Sequence, residues 1–339
     1  MPIDCCRFAG VKKFEDLFPL MPGDWRRHFD RYEWTGAVDL ASNHIRVSDR
    51  FSHEPLSVFD PMSLDMEALV LPHQGLIVNG WSDLIAAGVF LDALNDYALE
   101  HWTSQKSRVV HVVNPHDPAG SAERIGRCAG DRRIAAITIP LMPTMLGSVS
   151  WDPVFRAATE AGLPVVIHFS GVEGSYAGAP PLAGAPHTNP LSRHILMPHL
   201  AESNIASMIF EGAFYRFPTL QVLFAGFGFK WLPSLLRRLD QEWRNFRSDM
   251  PWVKDKPSAK VVDHIWASTY PVGEAHNPEI WLGEFSEPLL RRVVFASNAP
   301  FDGDPFTQVI DTLGQEWAQR LADNGSAFAH PALRREAAA

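Results

Sequence analysis

Three short apolar runs in the middle of the chain indicate the fold: RVVHVV (108–113), IAAITIP (134–140) and PVVIHF (164–169). A helical segment lies between each run and the next. Each short, apolar, β-branched run predicts a buried strand. The intervening segments, Ala119 to Ala129 and Trp151 to Ala161, have the apolar spacing of helices. Strands that alternate with helices in this way are typical of a parallel sheet with helices packed on it.

The same alternation continues on both sides of these runs. It predicts a first strand near Pro2 to Cys6, helix Asp83 to Trp102, helix Leu191 to Phe214, strand Leu220 to Ala225, helix Leu232 to Arg247 and a last strand Arg292 to Ser297. A chain of 339 residues, of which 46% are hydrophobic, can bury one large core. We therefore predict a single α/β domain over residues 1–339, since a barrel of about 250 residues plus insertions fits this length.

Two segments lack the pattern. Residues from about 14 to 75 show less of the pattern and contain Pro19, Pro22, Pro55 and Pro61, which predicts an irregular insertion. Residues 171–190 (GVEGSYAGAPPLAGAPHTNP) are rich in Gly, Pro and Ala, which fits either a mobile linker or a loop over a site. Because this segment directly follows a strand, we favour a loop at the rim formed by the C-terminal ends of the strands.

Charge and cysteine content restrict the possible partners. The net charge of -9 gives no basic face, which argues against nucleic acid and anionic membranes and leaves a small molecule or a protein. Cys5, Cys6 and Cys128 are odd in number and do not form a disulfide framework. No apolar stretch reaches the ~18 residues of a membrane span. We expect a soluble, cytoplasmic protein.

Four segments together carry a resemblance to a known family: FEDLFPLMPGDWRRHF (14–29), GLPVVIHFSG (162–171), IFEGAFYRFPTLQVLFAGFGFKWLPSLLRRLDQEW (209–243) and VVFASNAPFD (293–302). In this order they resemble the amidohydrolase family, in the branch related to aminocarboxymuconate semialdehyde decarboxylase. The resemblance implies a distorted (β/α)8, or TIM, barrel with its site at the C-terminal ends of the strands. It also implies a divalent metal, usually zinc, in active members.

The first pair of metal positions implied by the resemblance is incomplete here. The family opens with a strand whose alternate residues bind one ion. In IDCCRF these positions are Cys6 and Phe8, and a phenyl ring cannot coordinate a metal. A second register, in VDLASNHIRVSDRF (38–51), would place Ser42 and His44 there. We prefer the first register, because the segment that follows it sits where the family has a similar one.

The other positions are partly retained. His168 matches the metal histidine of the family, although a hydrogen-bonded core histidine is an equally good interpretation. Asn298 stands where the family has an aspartate that binds the metal and takes a proton from water, and an amide does neither well. Gly226 and Phe227 stand where relatives carry a polar residue. Together with Phe224 and Phe229, Phe227 suggests an apolar, packed barrel mouth.

Glu211 matches a glutamate common in one branch of the family. A role in helix packing or in an ion pair with Arg216 is an equally good interpretation. Three further histidines could approach the mouth, although exposed or interhelical positions are favoured for them: His194, His199 and His264. The candidate catalytic residues are therefore His168, Glu211 and Asn298, with no residue assigned to a metal.

These observations predict an amidohydrolase-like barrel that lacks most metal ligands and needs no cofactor. It would be a structural or regulatory subunit, paired with an intact amidohydrolase paralog or with a second copy of itself. The alternative is an active hydrolase or nonoxidative decarboxylase of a small organic acid, amide or ester. That enzyme would use zinc in a rebuilt site made from Cys6 or His44 with His168, Glu211 and Asn298. A third possibility is a protein that keeps the pocket and binds a small molecule without chemistry.

Overall fold

The computed structural model describes residues 2–31, 59–81, 83–170, 190–273, 278–301 and 303–329. Eight parallel strands form one sheet in chain order: β1 (Ile3–Ala9), β2 (Glu67–Pro72), β3 (Ser107–Val112), β4 (Ile134–Thr138), β5 (Val165–Ile167), β6 (Val222–Phe224), β7 (Ile265–Ser268) and β8 (Val293–Val294). Each strand is paired in parallel with the next. The predicted TIM barrel is confirmed.

Backbone hydrogen bonds join the last strand to the first. The amide of Cys5 donates to the carbonyl oxygen of Phe295 (2.9 Å), and the amide of Phe8 donates to that of Ala299 (2.7 Å). The amide of Asn298 donates in return to the carbonyl oxygen of Cys6 (3.1 Å). Because β8 is short, this seam is made largely by the residues that follow it.

Side chains alternate between the inside and the outside of the barrel, as the pleat of a strand requires. Val166, Leu223 and Trp266 belong to the cluster that fills the barrel interior. Their neighbours Val165 and Val222 belong to the cluster between the strands and the surrounding helices. Strands buried on both faces explain why these sequence runs are almost continuously apolar.

The helices surround the sheet: α1 (Gly23–Arg31), α2 (His73–Leu76), α3 (Leu84–His101), α4 (Pro118–Cys128), α5 (Asp152–Glu160), α6 (Pro190–Phe210), α7 (Ala213–Arg216), α8 (Leu232–Phe246), α9 (Pro257–His264), α10 (Pro278–Leu282), α11 (Glu287–Leu290), α12 (Phe306–Leu313) and α13 (Glu316–Ala329). Asp83 caps α3 by accepting hydrogen bonds from the amides of Ile85 and Ala86. Gly212, at φ +80°, separates α6 from α7 and so divides the single helix predicted over 191–214. None of the described helices is long and apolar enough to cross a bilayer.

The sequence prediction misses two strands and shortens one. β2 lies inside the segment predicted as an irregular insertion, and β7 begins directly after α9 with no turn residue to mark it. β1 continues to Ala9, beyond the predicted end at Cys6. The predicted rim loop lies outside the described residues, apart from Pro190, where α6 begins.

Candidate functional site

The structure brings together His168 and Asn298, which are 130 residues apart in sequence. His168 follows β5 and is 2% exposed, and Asn298 follows β8 and is 4% exposed. Nε2 of His168 lies 2.9 Å from Oδ1 of Asn298, and Nδ1 lies 2.7 Å from the carbonyl oxygen of Phe169. Both ring nitrogens of His168 therefore face polar atoms of the protein, and which nitrogen donates depends on the tautomer of the ring.

Phe8 occupies the centre of an aromatic group at this end of the barrel. Its ring is fully buried and meets His168 edge-to-face at a centroid distance of 4.8 Å. It also contacts the rings of Phe301 at 5.1 Å and His73 at 5.4 Å. Such edge-to-face contacts are favourable beyond the burial of the ring itself. A phenyl ring therefore fills the space beside the imidazole.

The thiol of Cys6 is a poor ligand in this environment. Cys6 is 1% exposed, and burial, reinforced by the negative charges of Asp4 and Cys5, raises its pKa well above the usual range. A cysteine binds a metal as the thiolate. The protonated thiol instead packs in the barrel interior with Phe8.

Gly226 brings the backbone against the histidine. Its φ of +86° is in the left-handed region, and a Cβ atom at this position would lie 2.3 Å from Nε2 of His168. The amide of Gly226 donates to Oγ of Ser268, which fixes this approach. A side chain at residue 226 is incompatible with His168 in its present position. The polar side chain that the family resemblance implies at this position would therefore not fit.

The described side chains do not fit a divalent metal at this end of the barrel. No group of three or more His, Cys, Asp and Glu residues within the described ranges is arranged to hold an ion. Of the positions compared with the family at this end of the barrel, Cys6 carries a protonated thiol, and Nε2 of His168 faces the carboxamide of Asn298. Phe8 and Gly226 supply no donor. Ser42 and His44, of the second register, lie outside the described residues.

Glu211 is exposed at the end of α6 and contacts neighbours in its own segment. Its carboxylate accepts a hydrogen bond from Oγ of Ser207 (2.5 Å), and its carbonyl oxygen accepts one from Arg216 (2.6 Å). The charge of Arg216 is paired with Asp152 at 3.0 Å. These contacts support the helix-packing interpretation of Glu211, although the ion pair of Arg216 is made with a different carboxylate.

The other histidines considered have local partners. His264 is 3% exposed, has Nδ1 at 2.8 Å from the carbonyl oxygen of Leu220, and stacks on Phe214. His199 is exposed and lies 3.7 Å from Glu202. The side chain of His194 is outside the described part of the structure.

Of the three phenylalanines expected at the barrel mouth, Phe227 lies near His168, with its ring centroid 6.4 Å from that of His168 and 5.7 Å from that of Phe169. Phe224, Phe227 and Phe229 are at most 2% exposed and pack in the cluster between the strands and the helices. Phe229, for example, contacts Trp281 and Phe285. All three rings are therefore packed inside the protein, and none of them is exposed.

The sequence analysis did not single out two polar residues near this end of the barrel. Thr138, the last residue of β4, is fully buried, and its Oγ1 has no hydrogen-bond partner among the described residues. Asn79 donates from Nδ2 to the carbonyl oxygen of Leu141 (2.7 Å), whereas its buried Oδ1 has no partner in the same residues. The polar residue at the end of the apolar run IAAIT was the available signal for Thr138.

Comparisons with known proteins agree with this architecture. Three solved structures are similar over nearly their whole length. An amidohydrolase from Mycobacterium avium subsp. paratuberculosis K-10 has a TM-score of 0.69 at 19% identity, with 97% of this chain and 98% of that chain covered. 5-Carboxyvanillate decarboxylase from Sphingomonas paucimobilis has a TM-score of 0.66 at 17% identity, with 96% and 98% covered. Dihydroxybenzoic acid decarboxylase from Polaromonas sp. JS666, solved with bound manganese, has a TM-score of 0.64 at 12% identity, with 96% of both chains covered.

At these identities the likeness shows the fold, and the family rests on a different comparison. A search of curated proteins returned no match. The family model described as "Amidohydrolase" matches residues 24–316, which is most of the chain. This chain belongs to the amidohydrolase family.

Proposed function

We propose that this chain is a member of the amidohydrolase family that holds no catalytic metal in its barrel and acts as a non-catalytic subunit beside an intact paralog. The observation that carries the proposal is the ring of Phe8, packed edge-to-face on His168 at 4.8 Å. A metal ion on Nε2 would need space and further donors there, and the neighbours are a phenyl ring, an amide and a glycine backbone.

The intact fold supports a role that requires the folded barrel itself, such as forming an interface. The strands remain almost completely buried on both faces, and the seam between β1 and β8 is fully hydrogen-bonded at Cys5, Phe8 and Asn298. Most substitutions destabilise a protein, so a core under no constraint would lose this order. A copy that no longer catalyses can lose metal ligands while an interface or a ligand site still requires the fold.

Metal content is the first test. Protein isolated without chelator should contain less than about a tenth of an equivalent of zinc or manganese, because too few donors are available. The matched control is His168→Ala, which should change nothing in the metal analysis. A full equivalent that disappears in His168→Ala would overturn the proposal.

The partner role needs a separate test. Co-expression with the nearest intact paralog of the same genome, followed by size-exclusion chromatography, should give a joint peak. A stable interface of this kind buries at least about 1,000 Å². Separate elution, with the paralog as active and as stable alone as in the mixture, would contradict this role and leave a homodimer as the other assembly to examine.

The comparisons favour a second candidate, a nonoxidative decarboxylase of small aromatic acids. Several similar structures are decarboxylases of hydroxylated benzoic acids, and three of them were solved with manganese. This candidate requires ligands from residues outside the described ranges, such as His44. The test is a titration with manganese, followed by the ultraviolet absorbance of hydroxybenzoate substrates. Turnover that depends on manganese and is lost in His44→Ala would establish the enzyme instead.

A further inference from the structure

A cavity lies against the seam between β1 and β8. Its volume is about 360 Å³, which is in the range of small-molecule sites. Arg7 and Asp4 of β1 line one side, and Phe295, Pro300 and Phe306 provide apolar walls. Arg7 and Phe8 are adjacent on a strand and point to opposite faces, so the guanidinium lies on the other side of β1 from the contact between Phe8 and His168. Phe301 lines the cavity and also contacts the ring of Phe8.

The guanidinium of Arg7 is the cation of this cavity, and its hydrogen-bonding capacity is unused. Its Nε is buried and has no partner among the described residues. Its closest carboxylate contact, from Nη1 to Oδ2 of Asp4, is 3.9 Å, which is too long for a hydrogen bond. A guanidinium presents its N–H groups as a fork that matches a carboxylate. An unused fork beside apolar walls fits a ligand with one carboxylate and an apolar body.

Three carboxylates line the cavity with Arg7: Asp65 is exposed to solvent, and the other two, Asp4 and Asp304, accept hydrogen bonds from the protein. Asp4 accepts hydrogen bonds from the amide (2.9 Å) and Oγ (2.5 Å) of Ser297. Asp304 accepts one from the amide of Val272 at 2.6 Å. Neither depends on Arg7 for its hydrogen bonds, and their negative charge disfavours a dianion such as phosphate. Helix α12 begins at Phe306 in the cavity wall, and a helix N-terminus favours an anion.

We propose that this cavity binds a small monocarboxylate, with its carboxylate on Arg7 and its apolar body against Phe295 and Phe306. The site is connected to the barrel centre through one short segment. Ser297, which holds Asp4, directly precedes Asn298, whose side chain contacts His168.

Benzoate is the probe and benzamide is its neutral isostere. Benzoate should raise the thermal midpoint saturably, compared with chloride at equal ionic strength, and isothermal titration should give one site. Benzamide should have no effect. Arg7→Gln should abolish the effect of benzoate, and the matched control Arg127→Gln, an exposed arginine of α4, should retain it.

Two further variants keep the test valid if Arg7→Gln fails to fold. Arg7→Lys keeps the charge without the fork and should weaken binding at least about tenfold. Ser63→Trp places a large ring at an exposed position of the cavity wall and should also block benzoate. Equal binding of benzoate by Arg7→Gln and wild type, equal binding of benzamide, or no saturable binding of benzoate, phenylacetate or hexanoate would overturn the proposal. Benzoate binding does not depend on metal content. A negative result here would therefore leave the proposed function unaffected, and a failure of the proposed function would leave this result unaffected.

Discussion

Replacing Phe8 with alanine tests whether this ring is a structural substitute for the metal centre. The ring is fully buried and contacts three other rings, those of His73, His168 and Phe301. Removing a buried phenyl group costs about 3–5 kcal/mol, as the sum of lost burial and the cavity that remains. We expect Phe8→Ala to lower the free energy of unfolding by that amount, and Phe8→Leu by about 1–2 kcal/mol, because leucine fills part of the space.

The assay is urea unfolding followed by tryptophan fluorescence and circular dichroism, with the free energy extrapolated to zero urea. Phe246→Ala is the matched control, because Phe246 is 50% exposed at the end of α8 and should change stability by no more than about 0.5 kcal/mol. A loss below about 1 kcal/mol for Phe8→Ala would show that the ring is not a packed part of the core and would refute the reasoning.

Three further predictions concern the same barrel. Gly226→Ala should lower the free energy of unfolding in urea by at least about 2 kcal/mol, because alanine is strained at φ +86° and its Cβ would clash with His168. An unchanged free energy would be incompatible with the close contact between the backbone of Gly226 and His168. Burial lowers the pKa of His111 to about 4, which is below its value in the unfolded chain, so the unfolded state takes up the proton first as pH falls. Stability that is complete above about pH 6.5 should therefore fall by about 3 kcal/mol toward pH 4, and unfolding curves of His111→Gln should lack this decline; an unchanged slope would contradict the assignment. Asn298→Asp should not restore zinc binding in isothermal titration, since Phe8 remains in place. Micromolar zinc binding by this variant would show that the amide at position 298 alone prevents binding.

The alternation of strands and helices could be predicted from local sequence. Runs such as PVVIHF are apolar because both faces of a parallel strand are buried, and this requirement is visible without any tertiary information. Residues that cap helices also carry local signals, as Asp83 does at the start of α3. β2 escaped prediction because it lies in a proline-containing segment interpreted as an irregular insertion, and β7 because it begins directly after α9 with no turn between them.

The arrangement of the site depends on distances across the chain, which the sequence does not contain. By itself the sequence determined which residue types stand at each position, so it predicted that Phe8 and Asn298 cannot bind a metal as histidine and aspartate do. Only the closed barrel decided that these two side chains both meet His168, since the seam between β1 and β8 places residue 8 beside residue 298. The same closure presses the backbone of Gly226 against the imidazole. Contacts of this kind depend on the packing of all eight strands, and no local pattern records them.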